Sequence, residues 1–211
     1  MEVSEILGLL DIEPAATRQY LVHYKGEEIQ SLCIGLSAKR GDLTFRTLDL
    51  SAVFQILVKW LRGDARFADF FFSSITINRE HAAAIHRDSA NIGRSVVRTL
   101  GNYEGGQLFW FPHDEGIEEA SNFSAEQGTP LDTTAFQLFD GNKAHGVTPF
   151  VGSRMSVIYF TTCHLDAAKH LALATLLEWG ALVKVHKVEN QELSVREGSG
   201  WDPGAECSRR L

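Results

Sequence analysis

The run Asp69-Phe-Phe-Phe-Ser-Ser-Ile-Thr-Ile-Asn78 begins a series of strand-like segments that decides the fold. Aromatic and β-branched residues of this kind favour extended backbone. Comparable runs follow at Ser95-Val-Val-Arg-Thr-Leu100, at Ala135-Phe-Gln-Leu-Phe139 and from Arg154 to Thr161. Helices do not alternate with these strands, so a doubly wound α/β fold is not predicted. We predict a mainly β fold with flanking α-helices, arranged as a double-stranded β-helix, or jelly roll.

Helices are predicted on both sides of the strand-rich region. Residues 51–62 carry apolar side chains at helical spacing and end at Gly63, and a second helix is predicted from Asp166 to Trp179. A shorter amphipathic helix is predicted over residues 4–10. We expect residues 1–188 to form one jelly-roll domain with its core at about 68–162, followed by a polar, poorly ordered tail over 189–211.

Three local patterns predict how the strands are connected. Leu43 to Thr47 is predicted to be a short strand. Tyr103 to Phe111 is predicted to be a hairpin that turns at two glycines, Gly105 and Gly106. Val147 to Phe150 and Arg154 to Thr161 are expected to pair around a turn at residues 151–153.

Composition narrows the class of protein. An apolar fraction of 44% and a charged fraction of 22% are typical of a soluble globular domain. The net charge is −7, and no Lys/Arg-rich run offers the basic surface that tight non-specific nucleic-acid binding needs. The acidic start, Met1-Glu-Val-Ser-Glu5, does not resemble a signal peptide, and no apolar run approaches the ~18 residues of a membrane span. We expect a soluble, cytoplasmic protein with no membrane partner.

A histidine and a carboxylate lie two positions apart at His86 and Asp88. Side chains two residues apart lie on the same face of an extended chain. With one distant histidine, His145, they form a ligand set that suits ferrous iron and leaves coordination positions open. An HxD pair alone is weak evidence, since surface loops also contain such pairs. The prediction of a metal site therefore depends on the other residues that lie near this pair.

Nine residues after His145 comes Arg154, which shares a strand face with Ser156 and Ile158. An inward-pointing arginine on an otherwise apolar strand needs an anionic partner. A guanidinium binds a carboxylate through two hydrogen bonds, and the serine hydroxyl can add a third. We therefore predict that Arg154 binds the carboxylate of a ligand. The alternative is a structural ion pair with one of the acidic residues.

The combined motifs resemble the Fe(II)/2-oxoglutarate-dependent dioxygenases, and in particular an uncharacterised branch common in algae and other microbial eukaryotes. The resemblance covers about residues 70–162. It is carried by His86-Arg-Asp-Ser-Ala-Asn-Ile-Gly-Arg-Ser95, Leu100-Gly-Asn-Tyr-Glu-Gly-Gly-Gln-Leu108, Phe139-Asp-Gly-Asn-Lys-Ala-His145 and Pro149-Phe-Val-Gly-Ser-Arg-Met-Ser156. The first fifty residues and the tail match nothing in this family.

The resemblance implies a role for each motif residue. The matching positions for the iron ligands are His86, Asp88 and His145. Arg154 matches the residue that binds the distal carboxylate of 2-oxoglutarate, and Ser156 matches its helper. The implied activity couples decarboxylation of 2-oxoglutarate by dioxygen to hydroxylation of a small molecule or a protein side chain.

Asn78 is a further candidate for a polar contact to 2-oxoglutarate. It ends the strand before the HxD motif. The alternative role for Asn78 is a turn residue that bonds its own backbone.

Three other function classes stay open. A nucleobase-oxidising dioxygenase would need base flipping and phosphate contacts, which the acidic composition disfavours. A jelly-roll binding domain without activity would not need the complete ligand set. A zinc hydrolase could use the same three ligands but has no use for Arg154 and Ser156.

The remaining histidines and one acidic segment have alternative interpretations. His113 and His164 are competing metal ligands, and His81 is predicted to be a surface or turn histidine. Residues 113–134 are predicted to form a long loop with six acids and no Lys or Arg. This loop is either a solvated excursion or a substrate lid that favours cationic partners.

Overall fold

A computed structural model describes residues 2–14, 29–37 and 41–181 of the chain. The α-helices are α1 (Val3–Gly8), α2 (Phe45–Asp49), α3 (Ser51–Arg62) and α4 (His170–Glu178). The strands are β1 (Gln30–Gly35), β2 (Ser74–Arg79), β3 (Asn91–Gly105), β4 (Leu108–Trp110), β5 (Thr129–Leu131), β6 (Gln137–Phe139), β7 (His145–Val147) and β8 (Phe150–Thr162). The predicted tail over residues 189–211 lies outside the described residues.

The strands form two antiparallel sheets. The larger sheet has the order β1-β2-β8-β3-β6, and the smaller has the order β5-β4-β7. Next to β7, an isolated bridge joins His86 to His145 and extends the smaller sheet by a short segment. These two sheets with few helices confirm the prediction of a mainly β jelly roll.

Strand β8 is the middle strand of the larger sheet, and its side chains alternate between two environments. Val157 and Tyr159 face outward into an apolar core that they share with helix α3, and the Tyr159 hydroxyl donates to the Leu57 carbonyl at 2.9 Å. Ile158 faces inward and packs against Leu108 and Val147 of the smaller sheet. The inner face of β8 therefore lines the space between the sheets, where a jelly roll can hold a ligand.

Residues 43–47 were predicted to be a strand, but the chain forms helix α2 instead. The Thr44 hydroxyl donates to the Cys33 carbonyl at 2.9 Å, and the Gly35 N–H donates to the Thr47 hydroxyl at 2.9 Å. These side-chain bonds to the backbone of β1 hold a short helix beside the strand. Threonine has a high strand propensity, but tertiary hydrogen bonds override it here.

The predicted hairpin at residues 103–111 is also wrong. Strand β3 continues to Gly105 paired with β8, whereas β4 belongs to the smaller sheet. Gly105 (φ 81°) and Gly106 (φ 63°) have left-handed backbone and carry the chain from one sheet to the other. The same glycine signal serves a hairpin or a change of sheet, so the local sequence does not distinguish them.

The strands predicted at residues 147–150 and 154–161 do not pair with each other. Strand β8 runs without interruption from Phe150 through Gly152, and it pairs with β3 and β2. Strand β7 pairs with β4 in the smaller sheet. Gly152, at φ 104°, sits where an added Cβ would lie 2.3 Å from the Asn102 carbonyl oxygen. The glycine here permits close strand contact, not a turn.

Residues 113–134 form a long segment that contains some regular structure. They contain two short 3₁₀ helices, Ala120–Asn122 and Ala125–Gln127, and strand β5, which pairs with β4.

No helix within residues 2–14, 29–37 and 41–181 is long and apolar enough to cross a membrane.

The alternation along β8 makes a testable prediction about stability. Val157→Thr puts a hydroxyl into the outer apolar core, where Val157 has no exposed surface, so we expect the free energy of unfolding to fall by about 1–3 kcal/mol. Val151→Thr is the matched control on the same strand, because Val151 is 79% exposed, and should change it by less than about 0.5 kcal/mol. Chemical denaturation measures both. Equal losses would contradict the burial of Val157 in the outer apolar core.

Candidate metal centre

The structure brings His86, Asp88 and His145 together. One ligand atom from each side chain lies within 4.8 Å of the other two, and this is the cluster of metal-binding side chains found in the described part of the chain. His86 Nε2 lies 3.7 Å from Asp88 Oδ1, and His145 Nε2 lies 3.9 Å from Asp88 Oδ2. Two ligands that each lie about 2.1 Å from one ion are at most ~4.2 Å apart, so both His–Asp distances are within the reach of a single ion. The 4.8 Å that bounds the whole set is slightly larger than this limit.

Backbone hydrogen bonds hold these side chains in place. The His86 N–H donates to the His145 carbonyl at 2.9 Å, and the His145 N–H donates to the His86 carbonyl at 3.0 Å. The Asp88 N–H donates to the Gly141 carbonyl at 2.8 Å. The two segments that carry the three side chains are therefore joined as antiparallel neighbours, although they are far apart in sequence.

Both imidazole rings have the same hydrogen-bond arrangement. Nδ1 of His86 lies 2.7 Å from the Ala84 carbonyl, and Nδ1 of His145 lies 2.8 Å from the Lys143 carbonyl. A carbonyl oxygen only accepts, so each Nδ1 carries the ring proton and each Nε2 keeps a lone pair. This arrangement is typical of histidines that bind a metal through Nε2. The donor set of two neutral imidazoles and one carboxylate fits Fe(II).

Two neighbours shape the surroundings of Asp88. The Asn91 amide donates to Asp88 Oδ2 at 3.2 Å. An added Cβ at Gly141 would lie 3.2 Å from the same oxygen, so a glycine at this position leaves room for the carboxylate. The sequence alone did not indicate that Asn91 or Gly141 contacts a candidate ligand.

Arg154 is buried on the inner face of β8, with 3% of its surface exposed. Its guanidinium lies beside two neighbouring rings, 5.5 Å from the centroid of Tyr103 and 5.7 Å from that of Phe150. It forms no ion pair with any of the described residues, and its Nε has no hydrogen-bond partner among them. Burial lowers the pKa of Arg154, and the Tyr103 hydroxyl opposes this shift. A buried guanidinium in this state has an unmet need for an anion.

Polar side chains surround Arg154 on the same sheet face. Ser156 is 6% exposed, and its hydroxyl accepts a long hydrogen bond of 3.4 Å from the Asn78 amide. The Asn78 carbonyl accepts from Ser31 at 2.7 Å, so Asn78 is a strand residue with side-chain partners and not a turn residue. The hydroxyls of Thr99 and Tyr103 lie 2.6 Å apart. Sequence reasoning missed Tyr103 and Thr99, although they share a face of strand β3.

The arginine and the candidate metal ligands both adjoin the space between the sheets. The His145 ring centroid lies 5.2 Å from that of Phe139, which belongs to the inner apolar cluster with Leu108, Val147 and Ile158. Arg154 lies on the same face of β8 as Ile158. Both groups therefore border the same inner cluster.

Asp114 is a further residue that sequence reasoning did not identify, and its side chain is 2% exposed. It accepts two hydrogen bonds of 2.7 Å from Arg87, the residue between His86 and Asp88. It also accepts from the Ala144 N–H at 2.6 Å, next to His145. The hydrogen bonds from Arg87 are the main reason that the pKa of Asp114 falls to about 2. The sequence does contain one signal for such a partner. Arg87 is the middle residue of the HxD motif, so its side chain points away from the two candidate ligands.

The competing histidines do not join the cluster. His81 is buried, with 8% of its surface exposed, so its prediction as a surface residue is wrong. His113 is exposed and lines a pocket of about 400 Å³ on the acidic segment 113–134. His164 follows the end of β8.

Comparison with known proteins supports the fold. The structure is similar to an oxidoreductase of the 2OG-Fe(II) oxygenase family from Burkholderia pseudomallei, where 2OG is 2-oxoglutarate. The TM-score is 0.50 at 19% identity, over 75% of this chain and 76% of that chain. Also similar are a prolyl-4-hydroxylase from Pseudomonas putida (TM-score 0.39, 17% identity, 75% and 81% of the chains) and NgTET1 in complex with 5mC DNA (TM-score 0.42, 15% identity, 70% and 69%).

The last two TM-scores are below 0.5, so the assignment of the fold rests on the similarity to the Burkholderia structure. No protein-family profile matches the sequence, and no curated protein matches it either. The chain has the fold of a 2OG-Fe(II) oxygenase. This finding agrees with the superfamily that the motif resemblance suggested.

The low pKa of Asp114 predicts a specific acid sensitivity. Its folded-state pKa of about 2 is below the ordinary value of 3.8, so the ionised carboxylate stabilises the fold above pH 3.8. This stabilisation, up to about 2 kcal/mol, is lost as the pH falls from about 5 toward 2. Asp114→Asn should therefore show a shallower fall in the free energy of unfolding over this range than the wild type.

Urea denaturation at several pH values measures this difference. Asp49→Asn, at an exposed position on α2, controls for the loss of one carboxylate and should keep the wild-type slope. Parallel curves for Asp114→Asn and the wild type would show that the Arg87–Asp114 pair contributes no pH-dependent stability.

Proposed function

We propose that this protein is an Fe(II)/2-oxoglutarate-dependent oxygenase that hydroxylates a small molecule or a protein side chain. The observation that carries the proposal is the buried guanidinium of Arg154. It forms no ion pair with the described residues, and it lies on the same face of β8 as Ile158, whose inner cluster includes Phe139. The ring of His145 lies 5.2 Å from the ring of Phe139. A metal site alone fits several chemistries, but a metal site with a buried, unpaired anion receptor calls for an anionic co-substrate.

In this proposal, His86 and His145 bind Fe(II) through Nε2, and Asp88 binds through its carboxylate. The Nδ1 hydrogen bonds to backbone carbonyls keep both rings in the required orientation and tautomer. The negative charge of Asp88 offsets part of the charge of the ion. The Asn91 amide would hold the carboxylate of Asp88 through its hydrogen bond to Oδ2.

Arg154 and Ser156 would bind the distal carboxylate of 2-oxoglutarate. The rings of Tyr103 and Phe150 hold the guanidinium in place, so its N–H groups are fixed before the anion arrives. Asn78 would hold the Ser156 hydroxyl through its amide. The carboxylate would give the buried charge of Arg154 an anionic partner and so offset the free-energy cost of its burial.

Fe(II), 2-oxoglutarate and dioxygen together would supply the oxidising chemistry that hydroxylates a C–H bond. The chain's own contribution is to orient these molecules and exclude water. The apolar cluster of Leu108, Val147 and Ile158 lies between the sheets and keeps this space dry. A zinc hydrolase has no use for the buried Arg154, so this residue favours the oxygenase proposal over that alternative.

The proposal predicts that Arg154 serves the co-substrate and not the metal. Arg154→Met keeps the apolar stem but removes the charge, so 2-oxoglutarate affinity should fall at least about 100-fold. Affinity for Mn(II), used in place of Fe(II), should change less than about 3-fold. Isothermal titration calorimetry measures both, and succinate formation from 2-oxoglutarate with Fe(II) and dioxygen should fall in parallel.

Arg98→Met is the matched control. Arg98 also lies over two rings, 4.8 Å from the centroid of Trp60 and 5.1 Å from that of Phe136, but it is on the outer face of the larger sheet opposite Val157. It should therefore keep wild-type 2-oxoglutarate affinity. Equal effects of the two substitutions, or wild-type affinity in Arg154→Met, would contradict the assignment of Arg154.

A further inference from the structure

A single carboxylate connects the two segments that carry the candidate metal ligands. Asp114 accepts both hydrogen bonds of the Arg87 guanidinium, and Arg87 lies between His86 and Asp88 in sequence. The same carboxylate accepts the Ala144 N–H at 2.6 Å, one residue before His145. The Asp114 carbonyl also accepts from the Lys143 ammonium at 2.9 Å. Both segments are therefore held by one residue of segment 113–134.

Alternation along the chain explains how Arg87 reaches Asp114. His86 and Asp88 point to one side, so the side chain between them points to the other. The guanidinium is 15% exposed, donates to the Glu118 carbonyl at 2.8 Å and lies 5.8 Å from the Phe123 ring centroid. Its bidentate pair with Asp114, its bond to the Glu118 carbonyl and the nearby Phe123 ring leave the guanidinium little freedom to move.

Backbone hydrogen bonds also join the two segments: the reciprocal pair between His86 and His145, one from Asp88 to the Gly141 carbonyl and one from Val147 to the Ala83 carbonyl. Asp114 adds a side-chain link to residues adjacent to the candidate ligands in both segments. An ion can bind tightly only where its ligands are held near the required distances in advance. Hydrogen bonds to residues next to the ligands supply such support, and their loss commonly costs 10–100-fold in metal affinity.

We propose that Asp114 is a positioning residue for the metal centre: with Arg87, it fixes the distance between the His86–Asp88 segment and His145. The inference rests on the proposed function, because it assumes that these three side chains bind a metal. It also gives Asp114, at the start of segment 113–134, a role in supporting the centre. Neither the HxD motif nor the distal histidine indicates this partner.

The test measures binding of Co(II), used in place of Fe(II), by its visible ligand-field absorption in the full chain. Asp114→Asn keeps the side-chain volume but loses the paired charge, so Co(II) affinity should fall about 10–100-fold, with a changed band shape. Asp64→Asn is the matched control. Arg66 donates to Asp64 at 3.0 and 2.7 Å in a similar bidentate pair that is remote in sequence from the ligands, and this variant should bind Co(II) like the wild type.

Circular dichroism and thermal melting of the metal-free variants separate positioning from general stability. A metal-free melting temperature that falls while the affinity and the bound spectrum stay unchanged would overturn the proposal, because the pair would then only stabilise the fold. Should Asp114→Asn not fold, Arg87→Lys provides the second variant: it keeps the charge, loses the bidentate geometry, and should show the same change in band shape. A wild-type spectrum and affinity in Arg87→Lys would equally overturn the proposal.

The wild-type titration distinguishes failure of the proposed function from failure of the positioning role of Asp114. If the wild type, Asp64→Asn and Asp114→Asn all fail to bind Co(II), the proposed function fails. If the wild type binds and Asp114→Asn binds equally well with the same spectrum, only the positioning role fails.

Discussion

The alternation of side chains along strand β8 is the constraint on which both the fold and the candidate site depend. Val157 and Tyr159 must face the helices, because they complete the apolar core with α3. The alternate residues of the strand, Arg154, Ser156 and Ile158, must then face the smaller sheet, which places the guanidinium between the two sheets. A shift of one residue in the pairing of β8 would bury the guanidinium in the apolar core and turn Val157 inward. Core packing thus fixes the site.

The buried charge of Arg154 gives this arrangement its chemical meaning. Its guanidinium has aromatic neighbours but no carboxylate partner among the described residues. The contrast with Arg87 is informative, since that partly buried guanidinium has Asp114 as a bidentate partner. The chain can therefore pair a partly buried arginine when the role is structural. Leaving Arg154 unpaired beside a candidate metal centre fits a receptor for an anion that binds from outside.

Local periodicity was enough to predict the helix at 51–62, the jelly roll, and the shared faces of His86 with Asp88 and of Arg154 with Ser156. These follow from the period of 2 in strands and 3.6 in helices. The sequence could not show that Gly105 and Gly106 change sheets, because the turn signal is the same in both cases. It also could not show that Asp114 pairs with Arg87, since that contact depends on how distant segments pack. The metal and co-substrate roles themselves stay predictions.

The central claim is that the three candidate ligands and Arg154 form one site in which an ion and 2-oxoglutarate bind together. Anaerobic absorbance of the Fe(II)-loaded protein, before and after addition of 2-oxoglutarate, tests this most directly. We predict a visible metal-to-ligand charge-transfer band that is absent in His145→Ala, because the band requires 2-oxoglutarate to bind directly to the ion. A protein that binds Fe(II) and 2-oxoglutarate but shows no such band would contradict the claim.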